Sequence, residues 1–193
     1  MKKILLSLTL ACFGIAFNSS AQVVISQDFE SGFAPWTVAT TGGGGGWALT
    51  TNARPTQLGV IPAHTKYAVV DESILGSSAH NNPTYLTSPT FSLAGVTSPY
   101  LVFDWSYFQA WISAAPGTHE RAYIEMSTDG GSSFSLVDSI VYSTGTPWNT
   151  RFISLAAYSS ATCVLRFAYT DQGAHIIGIA LDNIMVYGAT AAD

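Results

Sequence analysis

Pro99 to Phe108 reads PYLVFDWSYF, and its alternation decides the class of fold. Leu101, Phe103, Trp105 and Tyr107 recur with period two, which puts them on one face of an extended strand and leaves Asp104 and Ser106 on the other. A helix would scatter those four large side chains around its circumference. RAYIEMST, starting at Arg121, repeats the scheme with Ala122, Ile124 and Met126 on the apolar side. The runs VVISQDF, WALTT, KYAVVD, TYLTS, FSLVDSI, RFISL, TCVLRFAYT and IALDNIMVYG are similar, and Gly, Pro, Ser, Thr and Asn separate them. About ten short strands in one domain predict an all-β fold of two packed antiparallel sheets, a β-sandwich of jelly-roll type. An immunoglobulin-type sandwich is the structural alternative, with slightly fewer strands.

The chain opens on MKKILLSLTLACFGIAFNSSAQ, two lysines followed by an apolar run and then the small residues Ser19, Ser20 and Ala21. This is the pattern of a cleavable secretory signal over 1–21, too short and wrongly flanked for a membrane span. A lipoprotein with Cys12 acylated is the weaker reading, since Thr9 stands where a leucine is usual and the apolar run continues to Phe17. Residues 22–188 then form one domain and 189–193 a small polar tail, the end of the chain or the start of a linker into a longer protein. Without Lys2 and Lys3 the chain keeps five basic residues against twelve acidic ones, which excludes nucleic acid as a partner. Without Cys12 only Cys163 remains, so no intrachain disulfide forms, and its alternation with Leu165, Phe167 and Tyr169 makes it a buried structural thiol.

Motifs for chemistry are sparse. TTGGGGGW, Thr40 to Trp47, is a flexible loop and not a phosphate cradle, because neither a lysine nor a helix follows the glycines. His64, His80, His119 and His175 sit in loop-like contexts without metal-ligand spacing and read as solvated. STDGGSSF, Ser127 to Phe134, fits an Asp-box hairpin, in which Asp129 accepts hydrogen bonds from the turn and Gly130 and Gly131 supply positive φ angles. Its single copy argues against a propeller and makes Asp129 structural. Asp104, Glu120 and Glu125 lie on or near adjacent strands, the one arrangement here compatible with a sandwich-fold glycosidase, yet their positions equally suit exposed pairs with Arg121 and Arg166. Trp36 and Trp105 read as core. Trp111, in FQAWISAAPG where a strand runs into a loop, is the candidate ligand contact.

Four segments together, DFESGFAPW, YLTSPTFSLAGVTSPYLVFDWSYF, AYIEMSTDGGSSF and IALDNIMVYG, resemble the MAM-like, cleaved-adhesin jelly-roll domains of secreted proteins from Bacteroidetes-type bacteria. The resemblance covers essentially the whole mature chain. It implies an extracellular β-sandwich used as an adhesion or accessory module, often joined to larger secreted proteins and often holding calcium; the lack of catalytic motifs adds the expectation of a non-catalytic module that binds extracellular protein or glycan. The paired cysteines of vertebrate MAM domains are missing, so no disulfide carries over.

One residue resists the alternation. IALDNIMVYG, Ile179 to Gly188, is apolar except for Asp182 and Asn183 in its middle. A carboxylate withdrawn from water costs several kcal/mol unless paired or coordinated. Arg166 is one possible partner and a Ca2+ ion is another, held by Glu30, Asp71 and Asp182 with carbonyls lent by the Gly42 to Gly46 loop. Glu30 comes near because the first and last strands of jelly-roll modules commonly run side by side. The alternative is a β-bulge at a sheet edge, with Asp182 bonded to backbone amides and open to water. The functional expectation is therefore a secreted or cell-surface adhesion module stabilised by calcium, with two alternatives: a carbohydrate-binding module attached to a secreted hydrolase, and a glycoside-active enzyme.

Overall fold

A computed structural model describes residues 21–41, 46–51, 64–71, 83–107, 121–140, 148–159 and 161–190. Among them, twelve strands build two antiparallel sheets of six strands each, the sandwich that the alternation predicts. In the first sheet β10 (Asn149–Ser154), β7 (Val96–Tyr107), β12 (Gly178–Thr190), β4 (Tyr67–Asp71) and β3 (Ala48–Thr50) lie in that order, and β1 (Ala21–Gln27) also pairs with β12. In the second, the order is β2 (Thr37–Thr40), β5 (Thr84–Thr87), β11 (Thr162–Thr170), β8 (Arg121–Ser127) and β9 (Ser135–Ile140), with β6 (Phe91–Ser92) also on β11. The short strands β2 and β6 carry too few alternating residues to be recognised in the sequence.

Burial follows period two. Leu101, Phe103, Trp105 and Tyr107 of β7 point inward, as do Ala122, Ile124 and Met126 of β8. Phe103 meets Phe167 edge to face across the two layers, with ring centroids 5.1 Å apart, a preferred aromatic geometry. Trp36 packs on the same Phe167 ring. Cys163 is fully buried, and that burial pushes its thiol pKa up, so it stays protonated and inert. Trp47 is buried as well.

The long strands β12 and β11 each have one edge divided between two shorter partners. On β12, β4 pairs with Gly178 to Leu181 and β1 pairs with Ile184 to Ala189, leaving a seam at Asp182 and Asn183. On β11, β5 covers Arg166 to Tyr169 and β6 covers Thr162 and Cys163. Backbone groups at such a seam need partners because the ladder skips them. In the second sheet Ser88 supplies them: its N–H donates to the Leu165 carbonyl at 2.9 Å and its hydroxyl accepts the Leu165 N–H at 2.9 Å.

β12 begins at a residue that must be glycine. Gly178 has φ +101°, and a Cβ there would stand 1.7 Å from the Val70 carbonyl oxygen of β4. Backbone cannot yield as a flexible side chain does, so strain and overlap act together. Gly178→Ala is expected to destabilise the domain by about 3 kcal/mol, read as a lowered urea midpoint with an unchanged slope.

Candidate functional site

The seam of the first sheet contains Asp182, whose surface is fully buried. β12 bulges here: the register with β7 shifts between Asp182 and Met185, and Asn183 takes φ +49°. The bulge foreseen in the sequence is therefore present, but in a central strand and with the Asp182 carboxylate away from water. Asp182 Oδ1 accepts the Asn183 N–H at 2.7 Å, and Oδ2 lies 2.6 Å from His64 Nδ1. His64 stands just before β4, and its ring packs 4.5 Å from that of Trp148, which meets Tyr67 edge-on at 5.2 Å. Trp148, Tyr67, Val69 and Ala180 make a small second core on the outer side of this sheet. Desolvation raises the Asp182 pKa; the Asn183 amide, the His64 hydrogen bond and the His64 charge oppose the rise, and the Glu30 charge adds to it.

The residues proposed for a metal divide. Glu30 follows β1 and does reach the neighbourhood of Asp182, as side-by-side first and last strands require. Its Oε1 accepts the Lys66 N–H at 2.8 Å, and Lys66 Nζ donates to the Glu30 carbonyl at 2.6 Å. Asp71 pairs with Gly178, while Leu181 pairs with Ala68. That separation along β4 is about 10 Å at the rise of a strand, so Asp71 does not share a position with Asp182. Among the described residues no group of three or more His, Cys, Asp or Glu side chains is arranged for a metal ion. The Gly42 to Gly46 loop lies outside the described residues except for Gly46, and Trp111 lies outside them altogether.

Arg166, the alternative partner for Asp182, is engaged in the other sheet. Its guanidinium donates Nε to Glu125 Oε2 at 2.7 Å and lies over the rings of Phe134 at 3.6 Å and Tyr85 at 4.5 Å. His64 takes its place on Asp182, so the reading of His64 as a solvated loop residue is overturned. No spacing in the sequence marked it, because its partner lies 118 residues away. Asp129 behaves as its hairpin predicts. It accepts the hydroxyls of Ser127 and Ser133, each at 2.6 Å, and the Ser133 N–H at 2.9 Å, which hold its carboxyl well below the usual range; Gly130 and Gly131 have φ +75° and +91°.

Of the three acids named for a glycosidase, Asp104 and Glu125 do not converge. Asp104 belongs to β7 in the first sheet and Glu125 to β8 in the second, and both point away from the shared core. Consecutive strands had suggested adjacency, but the chain changes sheets between them. Glu120 lies outside the described residues.

The outer face of the first sheet is a distinct feature that sequence reasoning missed. Phe152, Val102 and Met185 lie opposite one another across β10, β7 and β12. One step along the strands, Tyr100, Tyr187 and Val23 form a second row across β7, β12 and β1. The Tyr100 and Tyr187 rings stack at 6.2 Å. On the other side of the Phe152 row, Asp104 accepts the Thr150 hydroxyl at 2.6 Å and the Asn183 amide at 2.9 Å.

No family model matches the sequence, and no curated protein matches it either. Solved structures do match in fold. The K3 cleaved adhesin domain of Lys-gingipain from Porphyromonas gingivalis W83 superposes with a TM-score of 0.61 at 21% identity, covering 87% of this chain and 99% of that one. The K1 cleaved adhesin domain of the same protein gives 0.58 at 18%, covering 86% and 97%. TmCBM61, solved in complex with β-1,4-galactotriose, gives 0.51 at 14%, covering 83% and 94%. The chain therefore has an adhesin-like β-sandwich fold.

His64→Ala leaves a buried carboxylate without its partner and is expected to cost about 3 kcal/mol, measured by urea unfolding. The pH dependence follows from the raised Asp182 pKa. The folded state holds this proton more tightly than the unfolded one, so its contribution is complete below the ordinary carboxylate pKa near 4 and declines as pH rises through the folded value. Asp182→Asn is expected to flatten that decline in a series of thermal midpoints from pH 4 upward.

Proposed function

We propose that this chain is a secreted, non-catalytic binding module of the MAM-like, cleaved-adhesin kind, acting in adhesion or in display of a larger extracellular protein. The observation that carries the reading is the outer face of the first sheet, where large apolar side chains stand in solvent over a rigid layer. Surface rings of this sort are where binding energy concentrates in recognition. Among the described residues the titrating groups with perturbed pKa values support the same reading, because each has a structural explanation: Asp182 closes a seam, Asp129 ties a hairpin and Cys163 fills the core. The adhesin-like fold and the glycan-bound TmCBM61 are in keeping with a binding role. Among the described residues no helix is long and apolar enough to cross a membrane.

An array of extracellular proteins and glycans, screened with the labelled chain alongside an assay for released reducing sugar, tests this function. Saturable binding without release is the expected result. Release above a heat-inactivated control would make the chain an enzyme and end the proposal.

Structural calcium belongs to the same proposal. Glu30 and Asp182 are the residues that would hold it, carboxylate oxygens being the hard ligands Ca2+ takes, and Asp71 would not. EGTA is then expected to lower the thermal midpoint of the natural chain and to leave that of Asp182→Asn unmoved. An unchanged midpoint, with no calcium in native mass spectrometry, would remove the ion and leave His64 and the Asn183 amide as the compensation of Asp182.

A further inference from the structure

We infer that the outer face of the first sheet binds a neutral glycan chain, laid across the strands between an aromatic bank and a polar one. This rests on the reading of the chain as a binding module and names its ligand class. Three side chains of the face are unusually open for their type: Phe152 is 64% exposed, Val23 54% and Tyr100 38%. The row formed by Phe152, Val102 and Met185 is the floor of the strip. Tyr100 and Tyr187 line one side, and the hydrogen-bonded trio Thr150, Asp104 and Asn183 lines the other. Neighbouring strands stand about 4.8 Å apart and same-face residues about 6.7 Å apart along a strand. The strip is thus about 14 Å long over four strands, the scale of a short oligosaccharide. At its β1 end it opens into a shallow pocket of about 190 Å3 lined by Ser26, Asp28, Asn183 and Met185.

The chemistry of the two banks selects the ligand. A pyranose ring has apolar C–H faces and a rim of hydroxyls that both donate and accept. Aromatic and thioether side chains suit the faces, and a carboxylate beside an amide suits the rim. Charge disfavours the acidic glycans: the acids here are Asp104 and Asp28, while among the described residues Arg151 is paired with Asp138 across the sandwich and Lys66 Nζ is held by the Glu30 backbone carbonyl. An anionic polymer would meet repulsion without a compensating cation. Hydroxyls donating to Asp104 meet none.

Affinity electrophoresis through gels containing xylan, galactan, β-glucan or polygalacturonate provides the test. Retardation by at least one of the three neutral polysaccharides, and not by polygalacturonate, is expected. Phe152→Ala and Tyr187→Ala should each weaken that binding tenfold or more in a titration with the matching oligosaccharide. Phe152 is exposed enough for its variant to fold, and Asn183→Gly, which keeps the positive φ, is a second variant expected to weaken binding while retaining the thermal midpoint. Three results would overturn the inference: no retardation by any neutral polysaccharide, retardation undiminished in all three variants, or a natural dimer that Phe152→Ala dissociates. If the chain still binds an extracellular protein on the array while no glycan retards it, the ligand class is wrong and the binding module stands. If it binds nothing in either assay, both fail.

Discussion

The buried carboxylate of Asp182 constrains more of this domain than any other group. β12 runs through the middle of the first sheet, and one of its edges is shared by β4 and β1, which meet end to end. At the junction the ladder is interrupted, and Asp182 and Asn183 occupy the interruption. One oxygen of Asp182 turns back to the Asn183 amide and the other reaches His64 at the threshold of β4. Glu30, at the exit of β1, is tied to Lys66 on the same approach to β4. Chain segments distant in sequence are thereby fastened at one point, in a domain where Cys163 is the only cysteine among the described residues.

The second sheet solves the same problem with a cheaper group. Ser88 bridges the gap between β5 and β6 by exchanging two hydrogen bonds with Leu165, and its neutral hydroxyl needs no counter-charge. A carboxylate in the equivalent role demands a partner, and the partner in turn demands cover. Trp148 and Tyr67 provide it, which is why a small apolar cluster lies outside the first sheet at all. The same bulge that buries Asp182 turns Asn183 outward toward Asp104. Stability and the polar bank of the proposed glycan strip thus originate in one irregularity of β12.

Two features of the surface have opposite characters. The hairpin at Asp129 and the Arg166 cluster on the second sheet are self-contained, each polar group meeting another from the same layer. The outer face of the first sheet is not closed in this way, since Phe152 and Val23 present more than half of their surfaces to water. Apolar area left open on a rigid sheet is the ordinary mark of an interaction surface.

Alternation was enough to predict the all-β class and the inward face of each long strand. Period-two patterns in β7 and β8 placed Leu101, Phe103, Trp105, Ile124 and Met126 inside, and the turn chemistry of Ser127 to Phe134 fixed the hairpin, because these signals depend on neighbours in the chain. Asp182 and Asn183 were visible as an anomaly for the same reason, and the approach of Glu30 followed from the pairing of first and last strands. Which group answers Asp182 was decided only in three dimensions: Arg166 is consumed by Glu125, Asp71 sits at the far end of β4, and His64 arrives from a loop with no local signature. The separation of Asp104 from Glu125, and the rows that unite Phe152 with Met185 and Tyr100 with Tyr187, depend likewise on which sheet each strand joins. Strand pairing is a long-range choice made by packing, and a linear pattern carries the face of a residue but not its neighbours across the sheet.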